Sequence, residues 1–300
     1  MVAKVLQHSI SPNGIELATF EIEFPRFILA EVNTHCMLSK NTASSRAIPI
    51  ETYIEMVESN PVIPVYWGKR NKGMSAIEEV DDIEKVKEVW LEGRNNAINT
   101  VRKLNELELH KQIANRILEP WVRAKTVISG TEWANFFWLR YHKDAQPEFK
   151  VLAKEMYDAL KASSPTIIKY GEWHLPYVES VRREDGNLHY YNEDDEEITL
   201  DEAKKLSASC CAQVSYRKLD KSDTKAENIY ARLIESDPVH ASPVEHQATP
   251  INLDNPESLE GVTHMDTNQM LWSAKFRGWI QHRKLIKNES VSGFNIEIMP

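Results

Sequence analysis

The sequence predicts a fold that combines strands with helices, and three segments support this prediction. Residues 14–24 alternate apolar and polar side chains, which is the pattern of a half-buried strand. Residues 81–118 repeat apolar side chains at helical spacing and predict one or two amphipathic helices, broken near Gly93 or around 106–110. Residues 144–165, with one proline near each end, predict a further helix.

The first strand leads directly into a helical segment. Its inward positions are Phe20, Ile22 and Phe24, and Pro25 ends it because proline has no N–H for a sheet. The residues at 26–38 then have helical character. A strand followed at once by a short helix is therefore expected near the start of the chain.

An acidic stretch marks the clearest internal boundary. Residues 183–200 carry many charges and predict a solvated hairpin or linker. On this basis the first part spans 1–182, with a helical insertion at about 50–110. The second part spans 201–300 and packs on the first, so that both form one continuous domain.

The second part begins with a helix signal. Thr199 and Glu202 have the spacing of a capping box, which predicts a helix from there to Cys210. Residues 222–235 predict another helix, and the proline-rich stretch at 235–250 predicts a loop.

Composition excludes several classes of protein. The 300 residues have a formal net charge of −9, which argues against binding to duplex nucleic acid and favours a small partner. No run reaches the roughly 18 apolar residues that span a membrane. The three cysteines, Cys36, Cys210 and Cys211, follow no signal segment, so we expect a cytoplasmic protein without disulfides.

Common cofactor motifs are missing from the sequence. No cysteine or histidine pair has the Cys-x2-Cys or His-x3-His spacing of a zinc site, and we expect no metal. His35 and Cys36 are adjacent, so in a helix they point about 100° apart and form a poor nucleophile pair. Neither a Gly-x-Gly-x-x-Gly loop nor a Walker loop is present, so a nucleotide must be bound in some other way.

The stretch AEVNTHCMLSKNTASSRAIP, residues 30–49, has an unusual set of small polar side chains. Hydroxyls, an amide and one guanidinium with little bulk are suited to a phosphate or a flat polar ring. The alternative is an exposed loop without function. The residue types alone leave both possibilities open.

The same stretch resembles a family signature. Residues 34–46 are similar to R-H-R-x-x-S-x-N-x-x-S-x-R, the signature of the flavin-dependent thymidylate synthases. Five of its seven fixed positions match, namely His35, Ser39, Asn41, Ser44 and Arg46. The preceding ATFEIEFPRFILAE looks like the strand and helix that lead into the signature in that family.

Four further segments strengthen the resemblance. ANRILEP at 114–120 is similar to A-R-x-x-L-P, and the segment at 135–149 to N-F-L-x-L-R-x-x-x-x-A-Q-x-E-I. SCCAQVSY at 209–216 and HASPVEH at 240–246 look like A-A-R-V-S-Y and H-x-S-P-x-E-H. Ordinary members carry these last two before the signature, so the chain resembles a circular permutant, which a fold with neighbouring termini tolerates.

The resemblance implies an architecture and a set of site residues. It implies an α/β (α+β) fold with helices packed on a mainly antiparallel sheet, and a homo-oligomer, a tetramer, with sites shared between subunits. The implied FAD contacts are His35, Cys36, Ser39, Asn41, Asn135, Ser215 and His246. The implied contacts to a deoxypyrimidine monophosphate are Glu31, Ser44, Ser45, Arg46, Arg116 and Arg140, of which Arg140 and Ser44 would serve catalysis.

The implied activity is the FAD-dependent reductive methylation of dUMP to dTMP, with methylenetetrahydrofolate and NADPH as co-substrates. One alternative is C5 methylation or hydroxymethylation of another pyrimidine nucleotide such as dCMP. A second alternative is a nucleotide-binding protein without catalysis. Thr34 and Cys36 stand where the signature has two arginines, which predicts weakened FAD binding unless a cation such as Arg283 compensates.

Overall fold

The structure is a computed structural model that describes residues 1–215, 218–255 and 259–290. The chain divides into two units that exchange segments. The first unit contains Met1–His8, Ala18–Ser164 and the described part of Val214–Leu219. The second contains Ser9–Leu17, Pro165–Gln213 and the described part of Asp220–Pro300.

The first unit combines a sheet with a helical layer. Its strands are β1 (Val2–Ile10, whose last two residues belong to the second unit), β2 (Glu16–Pro25, from Ala18 onward), β3 (Ser39–Thr42) and β4 (Arg123–Gly130). Its helices are α1 (Leu29–Asn33), α2 (Ile50–Ser59), α3 (Ile83–Glu106), α4 (Lys111–Ala114), α5 (Trp133–Arg140) and α6 (Pro147–Ala162). Short 3-10 turns at Arg26–Ile28 and Asn115–Trp121 complete it.

The sheet of the first unit has the order β3-β4-β2-β1, with β4 antiparallel to both of its neighbours. The register pairs Ala18 with Gly130 at one end of β2 and Pro25 with Arg123 at the other. The shorter β3 pairs Ser39 with Ser129. These pairings confirm the strand predicted at 14–24.

The core of the first unit lies between this sheet and the helices α5 and α6. The alternate β2 side chains of Phe20, Ile22 and Phe24 are fully buried there. They pack in one cluster with Phe149 and Leu152 of α6. Each such side chain contributes about 1.5–3 kcal/mol when fully buried. The predicted helix at 147–162 and its inward face are confirmed.

The helical segment at 81–118 breaks at the second of its two predicted places. The helix α3 runs through Gly93 without interruption and ends at Glu106. The ring of Trp121 packs over Gly93, where an added Cβ would lie 3.3 Å from it, so a larger residue would press against this ring. The chain then turns at 107–110 before α4 begins.

The helix predicted for 26–38 is wrong beyond Asn33. The Thr34 hydroxyl donates a 2.6 Å hydrogen bond to the Glu31 carbonyl oxygen, an arrangement that competes with helix continuation. A turn follows over 34–38, and Ser39 enters β3. Part of the small polar run is thus a strand instead of a loop.

The second unit is built from small antiparallel sheets and two helices. Its helices are α7 (Leu200–Ala212) and α8 (Asp223–Leu233). Its strands are β5 (Thr166–Ile167), β6 (Glu179–Arg182), β7 (Leu188–Tyr191), β8 (Glu197–Ile198), β9 (Ala248–Pro250), β10 (His264–Met265), β11 (Leu271–Ser273), β12 (Phe276–Arg277) and β13 (Trp279–Gln281). Its sheets have the orders β6-β7-β8, β10-β11-β12 and β9-β13, and β5 pairs in parallel with the end of β1.

Local signals in the second unit agree with the structure. Thr199 and Glu202 form the predicted capping box at the start of α7. The acidic stretch at 183–200 lies in the antiparallel β6-β7-β8 sheet. There, His189 bridges the carboxylates of Asp185 and Glu197. The hydrogen bonds to both carboxylates raise the pKa of His189.

The pairings confirm the predicted fold class, an α+β fold with helices packed on mainly antiparallel sheets. Among the described residues, none of the helices is both long and apolar enough to span a membrane.

We expect Phe20→Ala to destabilise the first unit by about 3–5 kcal/mol, because it leaves a cavity under a side chain with no exposed surface. Phe27→Ala is the matched control, since Phe27 is 36 % exposed. It should lower the free energy of unfolding by about 1 kcal/mol or less. Urea unfolding followed by circular dichroism measures both. Similar losses in the two variants would contradict the assignment of Phe20 to the core.

Candidate functional site

A cavity of about 330 Å³ lies in the first unit, between the turn after α1 and the helix α5. Its lining residues are Thr34, His35, Cys36, Met37, Leu38, Glu132, Asn135, Phe136, Leu139 and Arg140. Four of the residues predicted from sequence, His35, Cys36, Asn135 and Arg140, therefore line one cavity. Its volume is at the lower end for ligand pockets, so it can hold part of a large cofactor.

The centre of the cavity wall is a contact between Arg140 and His35. The Nε atom of Arg140 donates to the Nε2 atom of His35 at 2.6 Å, and its Nη2 donates to the Thr34 hydroxyl at 3.2 Å. The guanidinium carbon lies 5.0 Å from the centre of the Phe149 ring, within reach of a cation–π interaction. Among the described residues, the Nη1 group of Arg140 has no hydrogen-bond partner. It is therefore available to a ligand.

His35 is neutral at physiological pH. Burial, then the charge of Arg140 and then that of Lys40 lower the pKa of His35 to about 4. Because Nε2 accepts the hydrogen bond from Arg140, the neutral ring carries its proton on Nδ1. The ring also makes edge contacts with Phe136 and Phe149, at centroid distances of 5.0 and 5.8 Å. The site thus presents a fixed cation beside a neutral, oriented imidazole.

The turn is held at the cavity by close packing against the end of β4. An added Cβ at Gly130 would lie 2.3 Å from the Cδ2 atom of Leu38, which is itself buried. A larger residue at 130 would displace Leu38 and the turn that carries His35. Lys40 adds a 2.5 Å hydrogen bond to the His35 carbonyl oxygen.

A second cluster of predicted residues surrounds the carboxylate of Glu119. Its Oε1 atom accepts a 2.8 Å hydrogen bond from the Ser45 hydroxyl and forms ion pairs with Arg116 at 2.9 Å and Arg26 at 3.0 Å. The side chain of Asn115 donates to the Ser45 carbonyl oxygen at 2.8 Å. The cluster combines two guanidinium groups with a serine hydroxyl, which are the donors that bind phosphate.

Ser44 and Arg46 lie beside this cluster. The Ser44 N–H donates to the hydroxyl of Ser215 at 2.9 Å, and the Ser44 hydroxyl accepts from the Arg46 N–H at 3.3 Å. Arg46 is exposed and forms no ion pair among the described residues. Tyr216, which follows Ser215 in the predicted motif, lies outside the residues that the structure describes.

Ser39 and Asn41 connect the two clusters, because both belong to β3. Ser39 is fully buried and Asn41 is half-buried. A strand rises about 3.3 Å per residue, so the ends of β3 are roughly 10 Å apart. The cavity and the Glu119 cluster lie at opposite ends of this short strand. Glu31, in α1, has a buried Oε2 atom without a hydrogen-bond partner among the described residues.

Two residues considered from sequence belong to the second unit. His246 is fully buried there, and burial lowers its pKa to about 4. Arg283 is engaged by the carboxylates of Glu245 and Glu289, with a 2.6 Å contact to the latter. Arg283 is therefore already neutralised by its own unit, which argues against its use as a replacement cation.

Sequence reasoning missed three residues that shape these clusters. Phe149 lies in the helix predicted at 144–165 and was given no part in a site, yet its ring contacts both His35 and Arg140. Glu119 could have been found, because it follows Arg116 by three residues and such pairs meet on a helical turn. No sequence pattern predicts that Arg26 lies beside Glu119, because tertiary packing alone brings the two residues together.

Comparison with known proteins adds a family match. The model of the family described as thymidylate synthase complementing protein matches residues 6–166. Among the curated proteins compared, none matches the chain. The matched range includes the signature at 34–46 and the segments at 114–120 and 135–149, whereas 209–216 and 240–246 lie outside it.

The chain is also similar to two solved structures of the flavin-dependent thymidylate synthase ThyX from Helicobacter pylori, each with FAD and dUMP. Both are 23 % identical to it, and the similarity covers 48 % of this chain and 67 % of theirs. The TM-scores are 0.36 and 0.35.

We expect His35 to protonate near pH 4, well below the usual 6.5, in an NMR titration of the histidine side chains. Since this pKa is lowered on folding, neutral His35 stabilises the folded state fully above pH 6.5. The contribution is lost as the pH falls through about 4.

Arg140→Gln should raise the pKa of His35 while leaving it below 6.5, because burial is the larger cause and remains. Arg94→Gln, at a half-buried position of α3, is the control with the same charge change. An unaltered titration in Arg140→Gln would show that the contact between Arg140 and His35 does not exist in solution.

Proposed function

The chain belongs to the family of thymidylate synthase complementing proteins, the flavin-dependent thymidylate synthases, and we propose that it reductively methylates dUMP to dTMP. In this proposal FAD is the cofactor, and methylenetetrahydrofolate and NADPH are the co-substrates. The observation that carries it is the contact between Arg140 and His35 across the cavity, which joins two separate family segments in one wall.

The donor set of the cavity fits part of a flavin. Phe136, Leu139 and Met37 supply an apolar surface for a flat ring, and Asn135 supplies an exposed amide for its polar edge. His35 is held neutral and in one tautomer, so its Nδ1–H is a defined donor. When bound, reduced FAD supplies the hydride for the reaction. We therefore assign His35, Cys36, Ser39, Asn41 and Asn135 to cofactor binding as a proposal.

The Glu119 end of β3 is suited to the phosphate of the nucleotide. Ser44, Ser45, Arg46 and Arg116 supply hydroxyl and guanidinium donors there. With the phosphate at this end, the pyrimidine ring would extend along β3 toward Arg140. The free Nη1 group of Arg140 would then stabilise the negative charge that develops on the ring as C5 attacks the one-carbon unit.

Three further residues, Ser215, His246 and Glu31, are proposed as ligand contacts. Ser215 is placed beside Ser44, which favours a role for it in the same site. His246 is proposed as a flavin contact from the family motif alone. Glu31 is proposed as a nucleotide contact, and its unpartnered carboxylate oxygen is consistent with a donor from the ligand.

We also propose that the protein is a homo-oligomer, with a tetramer as the family form. Next to the cavity, α5 exposes Leu139 and Trp138, which is 75 % exposed, and the exposed Tyr141 follows the helix. Exposed large apolar groups in one place favour a protein interface.

The proposed function is tested by turnover of dUMP and dCMP with FAD, NADPH and methylenetetrahydrofolate, in a preparation whose mass is measured by light scattering. We expect dTMP as the product, and a rate about 10²-fold lower in Arg140→Ala, as for the loss of a transition-state donor. Lys143→Ala, on the exposed turn after α5, is the control. Methylation of dCMP with no reaction on dUMP would overturn the assigned substrate.

We expect Cys36→Arg to tighten FAD binding about tenfold, equal to roughly 1.4 kcal/mol, because a guanidinium adds charged donors at the cavity. The Cys36 side chain is exposed, so an arginine can be accommodated. Fluorescence titration with FAD measures the affinity, with Cys36→Ser as the control. Equal or weaker FAD binding by Cys36→Arg would mean that the cavity wall is adapted to a cysteine at this position.

A further inference from the structure

One carboxylate oxygen in the first unit has more donors than it can satisfy. Glu119 Oε1 accepts hydrogen bonds from the Ser45 hydroxyl at 2.8 Å and from Arg116 Nη1 at 2.9 Å. The buried Nε of Arg26 lies 3.0 Å from the same oxygen but forms no hydrogen bond among the described residues. A carboxylate oxygen has two lone pairs, so three donors compete for it. A phosphate has three terminal oxygens and would accept the same donors separately.

Buried polar atoms nearby have no partner. The hydroxyl of Tyr53, a residue with 1 % exposed surface, forms no hydrogen bond among the described residues, nor does the Oδ1 atom of the fully buried Asn115. Burial raises the pKa of Tyr53 to about 12, and the charges of Arg26, Glu119 and Arg116 also act on it. Tyr53 therefore remains a neutral donor close to the cluster.

The two arginines beside Glu119 differ in how easily they can change partners. The Arg26 side chain is only 10 % exposed and also donates to the Ala43 carbonyl oxygen at 3.0 Å, so its position is fixed. Arg116 is 49 % exposed and has no second partner among the described residues, so it can turn toward a ligand. Glu119 itself is 25 % exposed, so solvent and ligands reach the cluster.

We propose that Glu119 is a specificity-determining residue whose carboxylate stands in for the phosphate of the ligand in the free protein. A phosphate dianion accepts the hydrogen bonds that Ser45 and Arg116 otherwise donate to Glu119. Arg26 stays in its ion pair with Glu119. A nucleoside has no charge with which to displace the carboxylate, so the cluster selects nucleotides. This inference rests on the proposed function for the identity of the ligand, and it adds Arg26, Tyr53 and Glu119 to the site.

Calorimetric titration of wild type and Glu119→Gln with dUMP, inorganic phosphate and deoxyuridine tests the proposal. We expect Glu119→Gln to bind dUMP and phosphate about fivefold more tightly, an effect of the size found for partly exposed ion pairs. Deoxyuridine binding should not change. Glu58→Gln is the matched control, because Glu58 forms a comparable 2.7 Å ion pair with Arg102 on the helical layer.

Unchanged or weaker phosphate binding by a folded Glu119→Gln variant, with a melting temperature near that of wild type, would overturn the proposal. If that variant does not fold, Glu119→Asp keeps the charge beside Arg26 while withdrawing it from Ser45 and Arg116. Glu119→Asp should also bind phosphate more tightly than wild type. Unchanged phosphate affinity in this variant would likewise overturn the proposal.

The outcome is separable from that of the proposed function. Tighter phosphate binding without any turnover of dUMP would support the role of Glu119 and contradict the proposed reaction. Turnover of dUMP together with equal phosphate affinities in all variants would support the proposed reaction and contradict the role of Glu119.

Discussion

The strand β4 is the constraint on which the first unit depends, because it pairs with β2 on one side and with β3 on the other. Its register with β2 fixes the buried face on which α5 and α6 pack. Its register with β3 fixes where the polar run begins and ends. Since only two residues separate Gly130 from α5, the same strand also decides which side chains of that helix meet His35.

The two ends of β3 differ in their electrostatics. At the cavity, the single guanidinium of Arg140 lies among aromatic rings and beside a neutral imidazole, which suits a flat, weakly charged ring. The other end holds three charged groups close together, those of Arg26, Arg116 and Glu119, and its two guanidinium groups suit a phosphate. An acidic chain can in this way hold a small anion, because the local arrangement of donors outweighs a net charge of −9.

The permuted order of the family segments remains a prediction, although one contact bears on it. The family match ends at 166, so the segments at 209–216 and 240–246 rest on motif resemblance alone. Ser215 nevertheless belongs to the first unit and accepts a hydrogen bond from the Ser44 N–H. A short stretch from late in the chain is thus built into the unit that carries the signature.

The sequence by itself determined the elements whose signals are local. The alternation in β2, the proline-bounded α6 and the capping box at Thr199 each depend on residues within one or two turns. Motif resemblance likewise indicated the family and four of the residues that line the cavity. Only tertiary structure decided that α1 ends at Asn33, that Phe149 supports Arg140, and that Arg26 reaches Glu119. Such contacts join residues far apart in the chain, and their geometry follows from strand register and packing, which no local pattern encodes.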